Sequence, residues 1–403
     1  MGMLVQKFGG TSVKSYEKME KVVSIIKAYK EKGNDLVIVV SAMGRKGDPY
    51  ATDTLIELCK SINNETQKRE LDIIMSCGEI ISGTILTSML EANNIPAIFL
   101  TGIQAGIITT DSYCNAKIKK INPQRIEKEI ALGKVVVIAG FQGGTESGEI
   151  TTLGRGGSDT SAVAIGKALD SKVVQIYTDV DGIMTADPRV EPEARIIKFI
   201  EYEEVFQMAE QGSKVIHPRA VELAKKADII LEIKNTLNPD YEGTRIGSLK
   251  DLEYGDKDYE NDEKFMSAVA HKNNIAQIKV KSSEEVFSNV LNEMEEKNIN
   301  MDMINFFLQD KGFAINSNDA ECVENILKKY KVEYSINKKC AKVTLIGSKI
   351  TETPGIIAKI IRGLSKAGIT LLQSSDSFTT VSCLVNEEDM AKAVHVIHNQ
   401  FYK

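Results

Sequence analysis

From residue 3 to about 235 the chain alternates short apolar runs with stretches in which apolar residues recur every three or four positions. The runs at 4–8, 36–41, 135–139, 173–178 and 229–233 are rich in Val, Ile and Leu. They predict strands buried on both faces, as in a largely parallel sheet. Between the first two runs, Met19, Val22, Val23, Ile26 and Tyr29 fall at helical spacing and Gly33 follows as the stop. Repeated strand-turn-helix order predicts an α/β domain covered on both faces. Ligands of such a domain sit beyond the carboxyl ends of its strands.

The pattern breaks at 251–263, DLEYGDKDYENDE, where seven acidic residues stand against one lysine. So little of this segment is apolar that it reads as a solvated linker. Beyond it the chain repeats itself, AQIKV at 276–280 answering AKVTL at 341–345. Each is followed by a helical run (284–297; 354–367), a pair of strand candidates and a second helical run (319–330; 388–400). Two small β-α-β-β-α units are expected.

A length of 403 residues suits two or three domains. The formal charge of −6 and the sparse aromatics argue against a nucleic-acid groove, which needs a basic face with stacking residues. Six cysteines without a CxxC pair suggest neither a zinc site nor a disulfide framework, and read as reduced, mostly buried thiols. The N-terminus lacks a signal pattern, and LVIVV and VVVIAGF are too short to span a bilayer. A cytoplasmic protein with no nucleic-acid or membrane partner is expected.

The segment TTLGRGGSDTSA at 151–162 sets an arginine, a glycine pair, a serine and an aspartate just before a helical run. Backbone N–H groups at Gly156 and Gly157, and the start of the helix, suit phosphate or carboxylate oxygens. Arg155 offers a fork for a carboxylate. Asp159 would repel a bound anion, so positive charge must converge on it from elsewhere. In KFGGTSV, at 7–13, Gly9 and Gly10 let backbone approach phosphates while Lys7 supplies a point charge; alone, this is equally a tight turn with a surface lysine. No Walker A loop occurs.

Downstream, YTDVDGIMTADPR at 177–189 leaves a strand for a turn bearing Asp179, Asp181 and Asp187. It lacks calcium-loop spacing and fits a nucleotide-contacting turn better. GSKVIHPRAVELA at 212–224 places Lys214 ahead of a Pro-started helix. Glu79 in SCGEIIS and Thr52 in GDPYATDTL suit a polar ligand, or equally a helix cap or surface position. His395 and His398 share a helix face without acidic or cysteine partners and read as surface residues rather than a metal pair.

Taken together, KFGGTSV, SAMG, SCGE, GFQG, TTLGRGGSDTSA, YTDVDG, TADPR and GSKVIHPR resemble the aspartokinases, members of the amino-acid kinase superfamily, in order and over nearly the whole chain. The C-terminal repeat resembles their paired ACT regulatory domains. GRKGDPYATD at 44–53 and LQSSDSFTT at 372–380 are similar to the diaminopimelate-sensitive type of spore-forming Gram-positive bacteria. Two departures stand out: Met184 lies where many aspartokinases carry tyrosine, and KVKSSEEV lacks the Pro-Gly turn of TETPGI at 351–356. A thioether still supports an adenine ring.

The resemblance implies a three-layer α/β/α catalytic domain with a largely parallel sheet at 1–245 and an acidic linker at 246–263. It further implies ferredoxin-like βαββαβ ACT domains at 264–337 and 338–403, and leaves open whether strands are exchanged between them. The implied reaction is ATP-dependent phosphorylation of the L-aspartate side chain, with Mg2+ riding on the nucleotide phosphates. Lys7 and Lys214 would flank the transferring phosphoryl group, with Asp159 orienting them. Thr52, Arg155 and Ser158 would hold aspartate carboxylates and Glu79 its ammonium. Phe8, Gly9, Gly10, Ser41, Thr178, Asp179, Met184 and Arg189 would complete the ATP site together with Lys7 and Lys214. Gln373, Ser374 and Asp376 are candidate contacts for an amino-acid effector (diaminopimelate, lysine or threonine), or simply a polar strand edge. Pairing of ACT domains implies a homodimer or larger homo-oligomer. The alternatives are a glutamate or carbamate kinase, opposed by SCGE and the paired tail, and an inactive amino-acid sensor, opposed by Lys7, Arg155, Asp159 and Lys214.

Overall fold

The computed structural model describes residues 2–212, 215–248, 266–307, 310–348, 350 and 353–402. Lys214 and the acidic run at 251–263 lie outside the described residues. The chain forms two compact units. One comprises Met1–Ile183, Ile196–Phe206 and Lys214–Gly255, and the other Met184–Arg195, Gln207–Ser213 and Asp256–Lys403. Two short segments that precede the acidic run thus belong to the second unit.

The first unit begins β1 (Met3–Phe8), α1 (Tyr16–Glu31), β2 (Asp35–Val40), α2 (Thr52–Ile62), α3 (Lys68–Ala92), β3 (Ala97–Leu100), β4 (Ile107–Thr109), β5 (Ile118–Ile121), α4 (Gln124–Ala131) and β6 (Val135–Ala139). It continues with β7 (Gln142–Gly144), β8 (Ile150–Thr152), α5 (Gly157–Ala168), β9 (Val173–Thr178), β10 (Phe199–Glu201), α6 (Tyr202–Glu210), α7 (Pro218–Ala227), β11 (Ile230–Asn235) and β12 (Thr244–Gly247). The boundary between the units runs through α6.

Eight of these strands form one sheet in the order β10-β12-β11-β9-β1-β2-β6-β3. Every pairing is parallel except β11 with β12. β1 lies between β2 and β9, with Lys7 opposite both Val39 and Ile176. Strand order reverses there, which opens a crevice at the carboxyl ends of these three strands.

Alternation along the strands builds the layers. Leu4, Phe8, Leu36, Ile38 and Val40 share one core with Met19, Val22, Val23 and Ile26 of α1 and with Leu86 and Leu90 of α3. Val5, Val37 and Val39 are equally buried on the other face, where α5 packs. Ser15 caps α1 by accepting from Lys18 N, and Gly33 takes φ +81° just past its end. α3 has the length and apolarity to cross a membrane. Here Leu71, Met75, Leu86 and Leu90 are buried in protein. A small sheet, β5-β4-β7-β8, carries the start of the glycine-rich segment.

The second unit holds β13 (Met266–Lys281), α8 (Glu284–Glu296), β14 (Asp302–Phe306), β15 (Asp310–Asn316), α9 (Ala320–Lys329), β16 (Glu333–Gly347), α10 (Ile356–Lys366), β17 (Gln373–Asp376), β18 (Thr380–Asn386) and α11 (Met390–Phe401). Its antiparallel sheet runs β14-β15-β13-β16-β18-β17. Ala276, Ile278 and Val280 pack with α8 and α9, and Val343, Leu345, Val381 and Val385 pack with α10 and α11. Each repeat therefore has its own core. β13 crosses both: its 275–281 portion pairs with 333–340 of β16, while its 266–270 portion pairs with 344–347. The leading strand thus completes the second repeat.

Two composition-based expectations change. Only Cys340 and Cys383 are buried, and the other four cysteines are partly exposed. His398 is not a surface residue but 1% exposed, stacked on Tyr402.

Candidate active site

A cavity of about 540 Å³ opens at the carboxyl ends of β1 and β2, walled by Lys7, Gly10, Ser41, Thr52, Glu79, Phe141, Arg155, Gly156, Gly157, Ser158 and Asp159 among others. Six separated stretches of sequence thus converge on one space. Phe8 points the other way, fully buried and stacked on Tyr177 with ring centroids 4.7 Å apart. Burial raises the Tyr177 phenol far above its ordinary pKa.

β1 ends by delivering Lys7 into the cavity, where Nζ lies 2.5 Å from Asp159 Oδ1. Both side chains are only 12% exposed. The positive charge that Asp159 requires is therefore supplied by the first strand. The chain then turns, Gly9 N donating to Tyr177 O at 3.1 Å and Ser12 N to Gly9 O at 2.8 Å. At Gly10 a Cβ would fall 2.7 Å from the carbonyl oxygens of Ala42 and Gly44. That approach draws the loop after β2, with Ser41, against the loop after β1.

α5 starts from Gly156, whose φ of +68° favours glycine. A Cβ there would overlap the His217 ring. The N-terminal end of α5 opens onto the cavity through Gly157, Ser158 and Asp159, and carries the partial positive charge of a helix start. His217 caps α7 by accepting from Arg219 N at 3.3 Å. Arg219 donates to Leu153 O at 2.9 Å and Ala116 O at 3.1 Å, which ties α7 to the strand that leads into Arg155.

Glu79 sits mid-helix in α3, 2% exposed. Oε1 accepts from Ala42 N at 3.0 Å, while Oε2 is buried without a partner among the described residues. Burial pushes its carboxyl up to about 8. A carboxyl in this state is poised to accept a cation. Gly78 makes the placement possible, because a Cβ there would meet Ala42 Cβ at 2.7 Å and Tyr50 O at 2.9 Å. Thr52 is the first residue of α2 and faces the same space.

The structure adds residues that sequence reading passed over. Asp72, fully buried two turns before Glu79, accepts from Cys114 N, Thr152 N and Thr152 Oγ1 at 2.5–3.1 Å. It holds β8 against α3. Phe141 lines the cavity at φ +66°, an uncommon conformation for an aromatic residue. Only GFQG pointed to it. Asp53 and Lys60 of α2 also line the wall. Cys114 does too, with its thiol pushed up to about 11 by burial, then by Asp72.

Thr178 ends β9 and Asp179 follows it, and neither lines this cavity. Asp179 Oδ2 accepts from Arg45 Nη2 at 2.8 Å, and Asp181 Oδ1 from Asn235 Nδ2 at 2.8 Å. Asp187 pairs with Arg189 at 2.6 Å, which lowers the Asp187 pKa. The three acids of that turn are therefore engaged separately. Met184 and Arg189 belong to the second unit. There too, Gln373 is buried, accepting from Gln277 Nε2 at 3.0 Å and donating to Met303 O, while Ser374 and Asp376 are exposed along β17.

The Amino acid kinase family model matches residues 2–235, and an ACT domain model matches 335–399. Aspartokinase 1 of Bacillus subtilis (strain 168) is 41% identical over 404 residues, spanning all of this chain and 99% of its own. Among solved structures, Clostridium acetobutylicum aspartate kinase aligns with a TM-score of 0.80 at 23% identity, covering both chains fully. E. coli aspartokinase III, solved with aspartate and ADP, aligns at 0.76 and 22% identity with the same coverage. The fold, the convergent cavity and identity over the full length agree, and the chain belongs to the aspartokinase family.

Proposed function

We propose that the cavity brings L-aspartate and the terminal phosphate of ATP together, giving 4-phospho-L-aspartate and ADP. The observation that carries this reading is Glu79, a buried carboxyl with one oxygen unbonded among the described residues, on the wall shared with the Lys7–Asp159 pair. An acceptor bearing an ammonium group satisfies Glu79. Its carboxylates meet Arg155, Thr52 and Ser158.

An aspartate side chain has a pKa of about 3.9 and is ionised at neutral pH, so no base is needed to make the nucleophile. Its oxygen attacks the γ-phosphorus, the bond to the β,γ-bridging oxygen breaks, and ADP leaves with the electron pair. The obstacle is anion repulsion, overcome by positioning and by neutralising spread charge. Lys7 sets a cation at the transferring group, and Asp159 fixes it without taking a proton. Lys214 is the second cation on family resemblance alone.

Gly9, Gly10 and Ser41, beside the backbone of Phe8, form the phosphate cradle, and Thr178, Asp179, Met184 and Arg189 are the further nucleotide contacts of this reading. The donor set fits phosphate: glycine backbone, one lysine and the start of α5. Since Lys7 already engages Asp159, Mg2+ would be held mainly by phosphate oxygens, where it neutralises charge. Feedback by an amino-acid effector at the ACT repeats, near Gln373, Ser374 and Asp376, assembly as a homo-oligomer through them, and a cytoplasmic location complete the reading.

Glu79→Gln keeps the shape of the side chain and removes the charge. The KM for aspartate should rise about tenfold or more, which is 1.4 kcal/mol or above, with the KM for ATP unchanged. Steady-state kinetics check this, and movement of the ATP constant alone would show the assignment to be wrong.

A further inference from the structure

Arg155 is the cation that the glycine-rich segment brings to the cavity. It is exposed, and its side chain has no hydrogen bond or ion pair among the described residues. It stands between Gly154 and Gly156, at φ +76° and +68°. Glycine leaves the backbone permissive, so the place of Arg155 depends on what fastens the strand before it and the helix after it. On the helix side, Thr160 N donates to Gly156 O at 3.0 Å and Asp159 is held by Lys7.

The strand side is fastened by Asp72. Its Oδ1 accepts from Thr152 Oγ1 at 2.5 Å and its Oδ2 from Thr152 N at 3.0 Å, so one carboxylate grips both side chain and backbone of the last residue of β8. The same oxygens accept from Cys114 N at 3.0 and 3.1 Å, and Ala116 N donates to Thr152 O at 2.9 Å. Asp72 and Thr152 are fully buried. A buried carboxylate costs stability that its donors must offset, and an apolar side chain fills such a place at less cost. What the acid adds is a fixed location for Thr152, close ahead of Arg155. Asp72 also shares α3 with Glu79, two turns away and on the same face. One helix therefore sets both groups assigned to the acceptor, Glu79 directly and Arg155 through Thr152.

We propose that Asp72, acting through Thr152, is a positioning residue for the acceptor: it holds Arg155 at the spacing from Glu79 that a molecule bearing both a carboxylate and an ammonium group requires. This rests on the reading that Arg155 and Glu79 contact the acceptor. An arginine fixed in advance loses little entropy when the acceptor arrives, and one on a loosened segment must be ordered at that moment.

The test is steady-state kinetics of full-length Arg155→Ala, Thr152→Val, Thr152→Ser, Asp72→Asn and the double variant Thr152→Val with Arg155→Ala, with thermal unfolding of each. Arg155→Ala should raise the KM for aspartate about tenfold or more. Thr152→Val keeps the shape and removes the hydroxyl; it should raise the same constant about three- to tenfold with the KM for ATP unchanged. Thr152→Ser, which keeps the hydroxyl, should recover most of the loss, and Asp72→Asn should behave as Thr152→Val does. Once Arg155 is absent, Thr152→Val should add nothing, because the group it positions is gone. An unchanged aspartate constant in Thr152→Val, an equal rise in both constants, or an effect that persists in full without Arg155 overturns the positioning role while the acceptor reading stands. If Arg155→Ala itself leaves the aspartate constant unchanged, the acceptor reading of Arg155 fails and the proposal with it. Should Asp72→Asn not fold, the Thr152 variants decide the matter.

Discussion

At the scale of single residues, the site depends on two charges placed where water is scarce. Lys7 reads in sequence as an exposed, phosphate-facing lysine whose loss would change folding little. Its burial against Asp159 changes that expectation, since Lys7→Ala leaves a largely buried carboxylate without its cation. Glu79 is the second charge. Its pKa is raised from 4.5 to about 8 by burial, so the folded state favours the neutral acid. The stability this gives is complete below the unfolded pKa, near 4.5, and is lost as pH rises toward 8. An ammonium ligand draws the proton off, so aspartate binding should release a proton at pH 7 and tighten as pH climbs toward 8. Calorimetry of aspartate binding in two buffers of different ionisation enthalpy measures the proton count. Wild type should release close to one proton and Glu79→Gln close to none; equal values would contradict the placement of the ammonium at Glu79.

At the scale of elements, the start of α5 is the critical junction. Gly156 combines a positive φ with a ring beside its missing Cβ. Gly156→Ala should cost about 1–2 kcal/mol from the backbone alone, with further loss from displacing His217 and, through Arg219, the strand into Arg155. Urea unfolding reads the stability. An unchanged midpoint would show that the turn does not need glycine. Much of this was legible in the sequence, because buried strands and amphipathic helices are local patterns. The runs at 135–139 and 173–178 became β6 and β9 with the same bounds. KFGG, SCGE and TTLGRGGSD announced themselves by residue types that only a tight turn or an anion site explains. The rest depended on distant partners. Glu191 looks like any loop acid until α11 arrives from 204 residues away. Asp72 is one more helix polar residue until Cys114 and Thr152 surround it. His398 lost its expected exposure to Thr185 and Tyr402.

For the whole molecule, the division into two units carries the functional argument. The catalytic cavity lies within the first, and the paired repeats with their shared long strands form the second. The chain does not pass from one to the other only once. It crosses at 184–195 and again at 207–213 before the acidic run. The acceptor and Lys7 are the two decisive points. ATP-dependent hydroxamate formation, run with aspartate, glutamate and no acceptor, tests both in one assay. Wild type should form hydroxamate with aspartate and remain at background with the other two, while folded Lys7→Ala should lose turnover by orders of magnitude; hydroxamate from glutamate instead, or near-normal turnover in the variant, would contradict it.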